Sequence, residues 1–295
     1  MSLRDSLVFI DGKFVKGEEA KLSVWDHGLL YGDAVFDTAR VYEGSIFKLD
    51  EHLERLFDSA KGLDITPPVS MSILKEIVIK TVKQNAISNG QIRIIITRGV
   101  GPPGLDPALC PKPSLIVSAL AVPPMLGRRG LRLLTSSVRK KSPISVDSKI
   151  KSINYIDNIL AKIQAKAAGF DDAIMLEPAG YVAEATGANI FFVKKVKLFT
   201  PPTTVALEGV TRATIIDLAK ENGIEVCERP ITCQELYTAD EVFLSGTGID
   251  GIVQTIEIDG RKIGNGSWPI SEKLREAYAN IIHSKFLTPA SNRLD

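Results

Sequence analysis

The chain has 295 residues, of which 44% are hydrophobic and 24% charged, as in an ordinary globular protein. Its formal net charge of +1 gives no electrostatic footprint for nucleic acid or an anionic membrane, and no apolar run approaches the ~18 residues of a membrane helix. The first residues lack the apolar core of a signal peptide, and the three cysteines and three histidines suggest neither a disulfide framework nor a metal site. We therefore expect a cytoplasmic protein of one or two domains that binds no nucleic acid, membrane or metal ion.

Short apolar runs separated by turn residues organise the beginning of the chain. A hairpin is predicted over 7–15 around Asp11-Gly12, and a strand over 34–41 follows a turn bracketed by Gly28 and Gly32. Helical spacing predicts helices over 50–62, with Asp50 as the N-cap, and over 72–84. Strands at 91–98 and 115–121 follow, and both faces of the first are largely apolar, which indicates an interior strand.

Two segments rich in Gly and Pro divide the chain. The segment 99–113 is either an exposed connection or a loop that covers a substrate. The composition of 122–130 is typical of an interdomain linker. We therefore predict a small N-terminal domain over 1–121, this linker, and a large C-terminal domain over 131–295.

Two lysines precede a predicted helix in the second half of the chain. The helix runs from Ile156, and Ser152 or Asn154 is available to cap it. A lysine at a helix N-terminus feels the positive end of the helix dipole, which favours the free amine that Schiff-base chemistry requires. Either Lys149 or Lys151 meets this condition.

Two later turns are suited to binding an anion. The segment 207–219 is predicted as a Gly-led turn into a helix, with the hydroxyl of Thr211 at the helix start, and a strand over 240–245 ends in Ser245-Gly-Thr-Gly248. Between the lysine segment and these turns, a hairpin is predicted at 173–184, with Glu184 at its end. A final amphipathic helix is predicted over 271–286.

The segment Ile150-Lys-Ser-Ile-Asn-Tyr-Ile-Asp-Asn-Ile-Leu-Ala-Lys162 resembles the cofactor-lysine segment of the class IV, or fold type IV, pyridoxal-phosphate aminotransferases. This family contains branched-chain aminotransferases, D-amino acid aminotransferases and aminodeoxychorismate lyases. The resemblance identifies Lys151, not Lys149, as the lysine that binds the cofactor. Glu184-Ala-Thr-Gly-Ala-Asn-Ile-Phe191 is similar to the family signature whose glutamate pairs with the pyridine nitrogen.

The resemblance extends from about residue 7 to 282 and implies the fold and the assembly. The implied fold is α+β, a two-domain fold type IV enzyme of the D-amino acid aminotransferase-like kind, with a smaller α/β domain and a larger barrel-like domain. Pyridoxal 5′-phosphate would lie between the domains. The family also implies a homodimer or higher homo-oligomer, in which the partner chain completes the pocket.

The resemblance also implies residue roles. The cofactor would be bound by Arg55, Lys151, Tyr155, Glu184, Val210, Thr211 and Thr247, and Lys151 would be catalytic. The substrate would be bound by Tyr31, Phe36, Arg40, Arg93, Arg98 and Gly248. Two stretches depart from the family: Phe36-Asp-Thr-Ala-Arg40 replaces the usual Phe-Glu-Gly-Ile-Arg, and Gly248-Ile-Asp-Gly-Ile-Val253 follows Thr247.

The substrate depends on two arginines of one predicted strand. Arg93 matches the position that meets the distal carboxylate of glutamate in branched-chain enzymes, whereas Thr97-Arg98-Gly99 matches the α-carboxylate clamp of D-amino acid enzymes. Tyr155 matches the branched-chain pattern. We therefore predict transamination of branched-chain L-amino acids (Leu, Ile, Val) with 2-oxoglutarate as acceptor. A D-amino acid or amine transaminase, or an aminodeoxychorismate lyase-type enzyme, remains the alternative.

Overall fold

The computed structural model describes residues 3–124, 126, 130–284 and 287–290. Its strands are β1 (Leu7–Ile10), β2 (Lys13–Lys16), β3 (Ala34–Tyr42), β4 (Ser45–Phe47), β5 (Gly90–Thr97), β6 (Ser114–Leu120), β7 (Leu131–Thr135), β8 (Asp172–Leu176), β9 (Val182–Ala185), β10 (Asn189–Lys194), β11 (Lys197–Thr200), β12 (Val226–Glu228), β13 (Glu241–Gly246), β14 (Gly251–Ile258), β15 (Arg261–Lys262) and β16 (Leu287–Pro289). Its helices are α1 (His27–Tyr31), α2 (Leu49–Gly62), α3 (Met71–Gln84), α4 (Ile156–Ala167), α5 (Val210–Glu221), α6 (Cys233–Tyr237) and α7 (Pro269–Ser284), with 3₁₀ turns at Pro107–Leu109 and Thr247–Ile249.

The chain divides into two structural units. The first contains the chain up to Pro123, the segment Ile150–Asn154 and the described residues from Ile282 onward, and the second contains Pro124–Lys149 and Tyr155–Ile281. The first boundary falls inside the range predicted as a linker, of which positions 125 and 127–129 lie outside the described residues. The sequence analysis did not anticipate that Ile150–Asn154 belongs with the N-terminal unit.

The first unit is built on a seven-stranded sheet with the order β16-β4-β3-β5-β6-β1-β2. The apolar stripe predicted for α2 packs on this sheet, and Leu53 and Leu56 are completely buried there. Val35 and Ala39 of β3 belong to the same core. Because side chains alternate along a strand, Phe36 and the residues two and four positions after it lie on the opposite face of the sheet.

The second unit is built on a nine-stranded sheet, in which β15 pairs beside the main path β12-β11-β10-β13-β14-β7-β8-β9. Strand β9 is the last in this order, yet only Thr186–Ala188 separates it from β10. The Ala185 N–H donates to the Ala188 carbonyl at 2.8 Å. A short connection between distant members of one sheet requires that the sheet curl.

The predicted elements agree with the observed ones, but two predicted helix caps were wrong. Lys48, in a left-handed conformation, is the N-cap of α2, and Asp50 lies in the first turn, where its carboxylate binds Lys75 at 2.6 Å. Tyr155 is the N-cap of α4, and its side chain makes no capping hydrogen bond. Asn154 instead donates to the Gly32 carbonyl at 2.9 Å.

Helices α7 and α4 bury side chains of different size. In α7 the large side chains of Leu274 and Tyr278 are buried, and the predicted end of this helix at 286 lies outside the described residues. In α4 the small residues Ala161 and Ala165 pack against β8. The larger apolar residues of α4 are exposed instead: Ile156, Ile159, Leu160 and Ile163.

Among the described residues, no helix is both long and apolar enough to cross a membrane. Within the same part of the chain, no group of three or more His, Cys, Asp or Glu side chains is arranged to hold a metal ion.

Candidate active site

The backbone of Lys151 is fixed to strand β3. The Phe36 N–H donates to the Lys151 carbonyl at 3.0 Å, and the Ile153 N–H donates to the Ala34 carbonyl at 3.0 Å. The Lys151 N–H donates to the Ser59 hydroxyl on α2 at 3.1 Å. The segment around Lys151 therefore pairs alongside the first residues of β3, so the position of Lys151 depends on the first unit.

The amine of Lys151 lies beside two of the predicted substrate residues. Its Nζ is 4.6 Å from the centroid of the Phe36 ring, and the guanidinium carbon of Arg93 is 4.1 Å from the same centroid. Arg93 on β5 pairs in register with Thr38 on β3, which places it on the same face as Phe36. The structure therefore brings Lys151, Phe36 and Arg93 together, and both cations contact one aromatic ring.

Arg55 forms a buried ion-pair cluster with Asp37 and His52. Its Nε and Nη2 donate to the two Asp37 oxygens at 2.8 Å each, and His52 Nδ1 is 2.7 Å from Asp37 Oδ1. Burial opposes ionisation of Asp37, but Arg55 and His52 outweigh it and hold the pKa of the carboxyl well below its usual range. Burial lowers the pKa of His52, although Asp37 opposes the shift. Since the Asp37 carboxylate can only accept, Nδ1 carries the proton in this bond.

Arg98 makes a different set of contacts from Arg93. Four of its five N–H groups are used: Nε and Nη2 donate to Asp33 at 2.8 and 3.2 Å, and Nη1 and Nη2 donate to the Asp64 and Leu63 carbonyls at 2.6 Å each. Arg98 is buried, whereas Arg93 is exposed. This bonding favours a structural role for Arg98, which ties the end of β5 to the loop after α2.

Tyr31 and Arg40 complete the predicted substrate residues of the first unit. The Tyr31 hydroxyl accepts a hydrogen bond from the Gly104 N–H at 2.9 Å, so the Gly- and Pro-rich segment contacts a predicted substrate residue. Arg40 is buried and donates to the Val122 carbonyl at 3.2 Å. Its Nε has no hydrogen-bond partner among the residues that the structure describes.

In the second unit, Glu184 is held by three donors. Its Oε2 accepts from Asn189 Nδ2 and from the Leu207 N–H, both at 3.1 Å, and its Oε1 accepts from the Lys140 ammonium group. A carboxylate has about four acceptor positions, so about one remains for a further donor. Glu184 is therefore suited to receive the N–H of a protonated pyridine ring.

Two hydroxyl groups meet at the start of α5. The Thr211 and Thr247 hydroxyl oxygens are 3.3 Å apart. No side chain caps α5, whose N-cap is Gly209 and whose first residue is Val210. The free N–H groups of a helix start and two hydroxyls form a site that fits a phosphate group.

Gly209 is required at this helix start by a close contact. A Cβ at this position would lie 2.2 Å from Asn189 Oδ1. Asn189 also donates to Glu184. The absence of a Cβ at Gly209 therefore leaves room for the Asn189 amide, which holds the Glu184 carboxylate near the start of α5. After Thr247, the chain forms a 3₁₀ turn through Gly248 and then enters the left-handed conformation at Asp250, with φ of 64°.

Tyr155 is half-buried and lies beside a lysine that the sequence analysis did not select. The Lys141 Nζ is 5.8 Å from the centroid of its ring. Burial lowers the pKa of the Lys141 amine, and the neighbouring Lys140 cation acts in the same direction, while Asp157 and Glu184 oppose the shift.

Three further buried groups were missed by the sequence analysis, namely Asp37, His52 and Lys140. Asp37 stands inside a departure from the family pattern, which is a signal that could have been used. Lys140 lies in the run Arg139-Lys-Lys141, which resembles a solvated basic loop. Nothing in that run distinguishes the buried lysine.

Known proteins resemble this chain in sequence and in fold. The family model described as amino-transferase class IV matches residues 34–254. The chain belongs to the class IV aminotransferases. A putative branched-chain-amino-acid aminotransferase of Methanocaldococcus jannaschii is 47% identical over 276 residues, which is 93% of this chain and 96% of that protein.

Solved structures agree with the sequence relatives. A branched-chain amino acid aminotransferase from T.th., complexed with N-(5′-phosphopyridoxyl)-L-glutamate, has a TM-score of 0.93 and 36% identity, with 98% of this chain and 100% of that chain covered. The enzyme from Thermoproteus uzoniensis with norvaline has a TM-score of 0.92 and 35% identity, with 97% and 99% covered.

These comparisons confirm several predictions made from the sequence. The class IV family, the fold type IV architecture and the enzyme class, a pyridoxal-phosphate-dependent aminotransferase, are confirmed. The resemblance to branched-chain members is confirmed as well. The pyridoxyl compound in the T.th. enzyme agrees with the predicted cofactor. The residue roles stay predictions.

Proposed function

We propose that this enzyme exchanges the amino group between branched-chain L-amino acids and 2-oxoglutarate. The observation that carries the proposal is the convergence of Lys151 and Arg93 on the Phe36 ring. An amine is needed to bind an aldehyde cofactor and to move a proton, and a guanidinium on the same face can bind the second carboxylate of 2-oxoglutarate or glutamate. The names of the relatives supply the branched-chain substrates.

Pyridoxal 5′-phosphate, when bound, supplies an aldehyde for the substrate amine and a ring that accepts electrons from the α-carbon. Lys151 would bind its aldehyde carbon and afterwards carry the proton between the two carbons of the reaction. Glu184 would accept the ring N–H at its remaining acceptor position. Thr211 and Thr247 would bind the phosphate at the start of α5.

Arg55 and Tyr155 have supporting roles in this proposal. Arg55 would bind the phosphate while Asp37, which accepts from its Nε and Nη2, fixes the guanidinium group. The phenol of Tyr155 would face the ring hydroxyl. Val210 would contribute its backbone N–H at the helix start, and Gly248 its backbone amide to the substrate carboxylate.

A half-reaction tests the substrate. The purified protein is loaded with pyridoxal 5′-phosphate and mixed with L-leucine or, separately, D-alanine, and the visible absorbance of the bound cofactor is followed. We expect loss of absorbance with L-leucine, recovery when 2-oxoglutarate is added, and no change with D-alanine. Loss with D-alanine alone would refute the proposal.

Two matched variants test the residue roles. Lys151→Ala should abolish the visible absorbance of the cofactor, whereas Lys149→Ala should not, because the Lys149 amine forms only an exposed ion pair with Glu208 at 3.4 Å. Arg93→Ala should raise the KM for 2-oxoglutarate by about tenfold or more and leave the half-reaction with L-leucine nearly unchanged. If both half-reactions slow equally, Arg93 does not bind the distal carboxylate.

The D-amino acid alternative depends on Arg98. Its Thr97-Arg98-Gly99 context matches the carboxylate clamp of those enzymes, but four of its N–H groups already bind Asp33, Leu63 and Asp64. A clamp needs two donors aligned on the substrate carboxylate. The bonding of Arg98 therefore supports the L-amino acid proposal.

A homodimer or higher homo-oligomer is part of the proposal. Ile159 and Ile163 of α4 are 52% and 59% exposed, and Ile156 and Leu160 extend the same apolar surface. A continuous apolar stripe on a helix is typical of a protein–protein interface. Because the family resemblance implies a homo-oligomer, we propose that a second copy of this chain covers this surface. Sedimentation of the purified protein tests the assembly, and a monomer at micromolar concentration would exclude it.

A further inference from the structure

We infer that Lys140 is a positioning residue that pairs with the Glu184 carboxylate and holds it in place before the cofactor binds. This inference rests on the proposed function, because it assigns to Glu184 the task of receiving the pyridine N–H. Lys140 itself touches neither cofactor nor substrate in this proposal. Its effect reaches the cofactor only through Glu184.

Three donors surround the Glu184 carboxylate and divide unequally between its two oxygens. Asn189 and the Leu207 N–H both donate to Oε2, and Lys140 alone donates to Oε1. Oε2 has its two acceptor positions filled, so the open position lies on the oxygen that Lys140 holds. The lysine thereby fixes the orientation of the only oxygen that can receive a new donor.

Both members of the Lys140–Glu184 pair are buried. Lys140 is 7% exposed and Glu184 is 8% exposed. A buried charge is stable only when it is paired and hydrogen-bonded. Asn189 and the Leu207 N–H are neutral donors, so among the described residues that bind Glu184 directly the lysine is the only cation. Without it, only neutral donors would bind this buried carboxylate directly in the empty protein.

Other charged groups nearby do not replace Lys140. Lys141 also faces this region, but burial lowers the pKa of its amine, and its ring neighbour is Tyr155. Asp157, which also lies close to Lys141, carries the wrong sign to pair with Glu184.

Binding of the cofactor places a second positive group on the same carboxylate. The ring N–H would then be a second positive partner for Glu184 beside Lys140, and the two cations would repel each other. Removal of Lys140 should therefore harm the empty protein more than the loaded protein, because in the loaded protein the ring supplies the missing counter-ion. A residue that only fills space would affect both forms equally.

Thermal unfolding with and without pyridoxal 5′-phosphate tests this expectation. We expect Lys140→Met to lower the Tm of the empty protein by about 5 °C and that of the loaded protein by clearly less. Lys140→Arg should restore the Tm of the empty protein, because it keeps the charge. The double variant Lys140→Met/Glu184→Gln should also recover it, because it removes both charges.

Lys162→Met is the matched control. The Lys162 amine pairs with the buried Asp172 carboxylate at 3.2 Å, in the same unit but with a carboxylate that has no proposed role toward the cofactor. Its loss should lower the Tm of the empty and loaded proteins equally. Equal losses for Lys140→Met as well, or a larger loss in the loaded protein, would overturn the inference.

The experiment separates this inference from the proposed function. If the wild-type protein binds pyridoxal 5′-phosphate with its visible absorbance but Lys140→Met shows equal losses, the inference fails and the proposed function stands. If the wild-type Tm and absorbance do not respond to the cofactor at all, both fail.

Discussion

The substitution Asp37→Asn tests the buried cluster that holds Arg55. Asp37 is completely buried, and its two oxygens accept from Arg55 at 2.8 Å each, while His52 lies 2.7 Å from Oδ1. Asparagine has the same shape, but its Nδ2 group would replace one of the two carboxylate oxygens. In one orientation it would face the Nε–H of Arg55, and in the other it would face Arg55 Nη2 and His52 Nδ1. At least one charge-assisted hydrogen bond would be replaced by a contact between two donor groups. The Arg55 cation would also lose the charge of Asp37.

The expected loss follows from these contacts. Removal of one partner from a buried ion pair costs about 3–5 kcal/mol, and the lower end applies here because the amide oxygen still accepts one bond. With an unfolding entropy of about 2.1 cal/mol/K per residue, a loss of about 3 kcal/mol in a chain of 295 residues corresponds to a Tm lowered by about 5 °C. This is a large share of the stability of an ordinary domain.

The pH dependence gives a second measurement. Because the pKa of Asp37 is lowered on folding, its contribution to stability is present above its unfolded pKa of about 3.9 and is lost as the pH falls through the lower folded value. The wild-type protein should therefore lose stability steeply below about pH 4. Asp37→Asn should show a shallower loss, because asparagine does not titrate.

Urea unfolding and thermal unfolding at pH 7, followed by a titration to pH 3, measure both effects. Asp50→Asn is the control, because the Asp50–Lys75 pair is exposed and should be worth less than about 1 kcal/mol. The reasoning is refuted if Asp37→Asn destabilises the protein no more than the control does.

Three other predictions concern the proposed site and the exposed helix. Glu184→Gln should lower kcat by about a hundredfold or more with a smaller change in KM, because a neutral amide does not keep the ring nitrogen protonated; steady-state kinetics check this. Arg98→Lys should lower the urea midpoint but leave the choice of L-leucine over D-alanine unchanged, since its donors bind the protein's own carbonyl groups; reversed stereochemical preference would contradict it. Ile159→Glu with Ile163→Glu should shift the sedimentation profile toward monomer, whereas the same assembly in wild type and variant would show that α4 is not an interface.

Much of the local structure could be predicted from the sequence because it depends on neighbouring residues. Asp11-Gly12 predicted a hairpin, and β1 and β2 pair across it. The spacing of Leu53 and Leu56 predicted both the helix α2 and its buried face. Lys151 and Glu184 were selected as candidates because each lies in a short motif, although the resemblance, not the spacing, separated Lys151 from Lys149.

Contacts between distant parts of the chain could not be predicted. Helical spacing predicted α4, but the strands that pack on it decided that its small residues are buried and its isoleucines exposed. Arg93 lies in β5, Arg98 directly follows that strand, and the two side chains have the same chemistry. The fold brings Asp33 and two loop carbonyls to the donors of Arg98, whereas it places Arg93 over the Phe36 ring.

The sequence by itself determined the family, the order of the elements and the chemical types of the site residues, because motifs and periodicity are properties of adjacent positions. The tertiary structure decided the charge partners: Asp37 for Arg55, and Lys140 for Glu184. A lysine in a basic run has the same local pattern whether it is solvated or buried. Its energy depends on the burial and on the carboxylate that the fold places beside it, 44 positions along the chain.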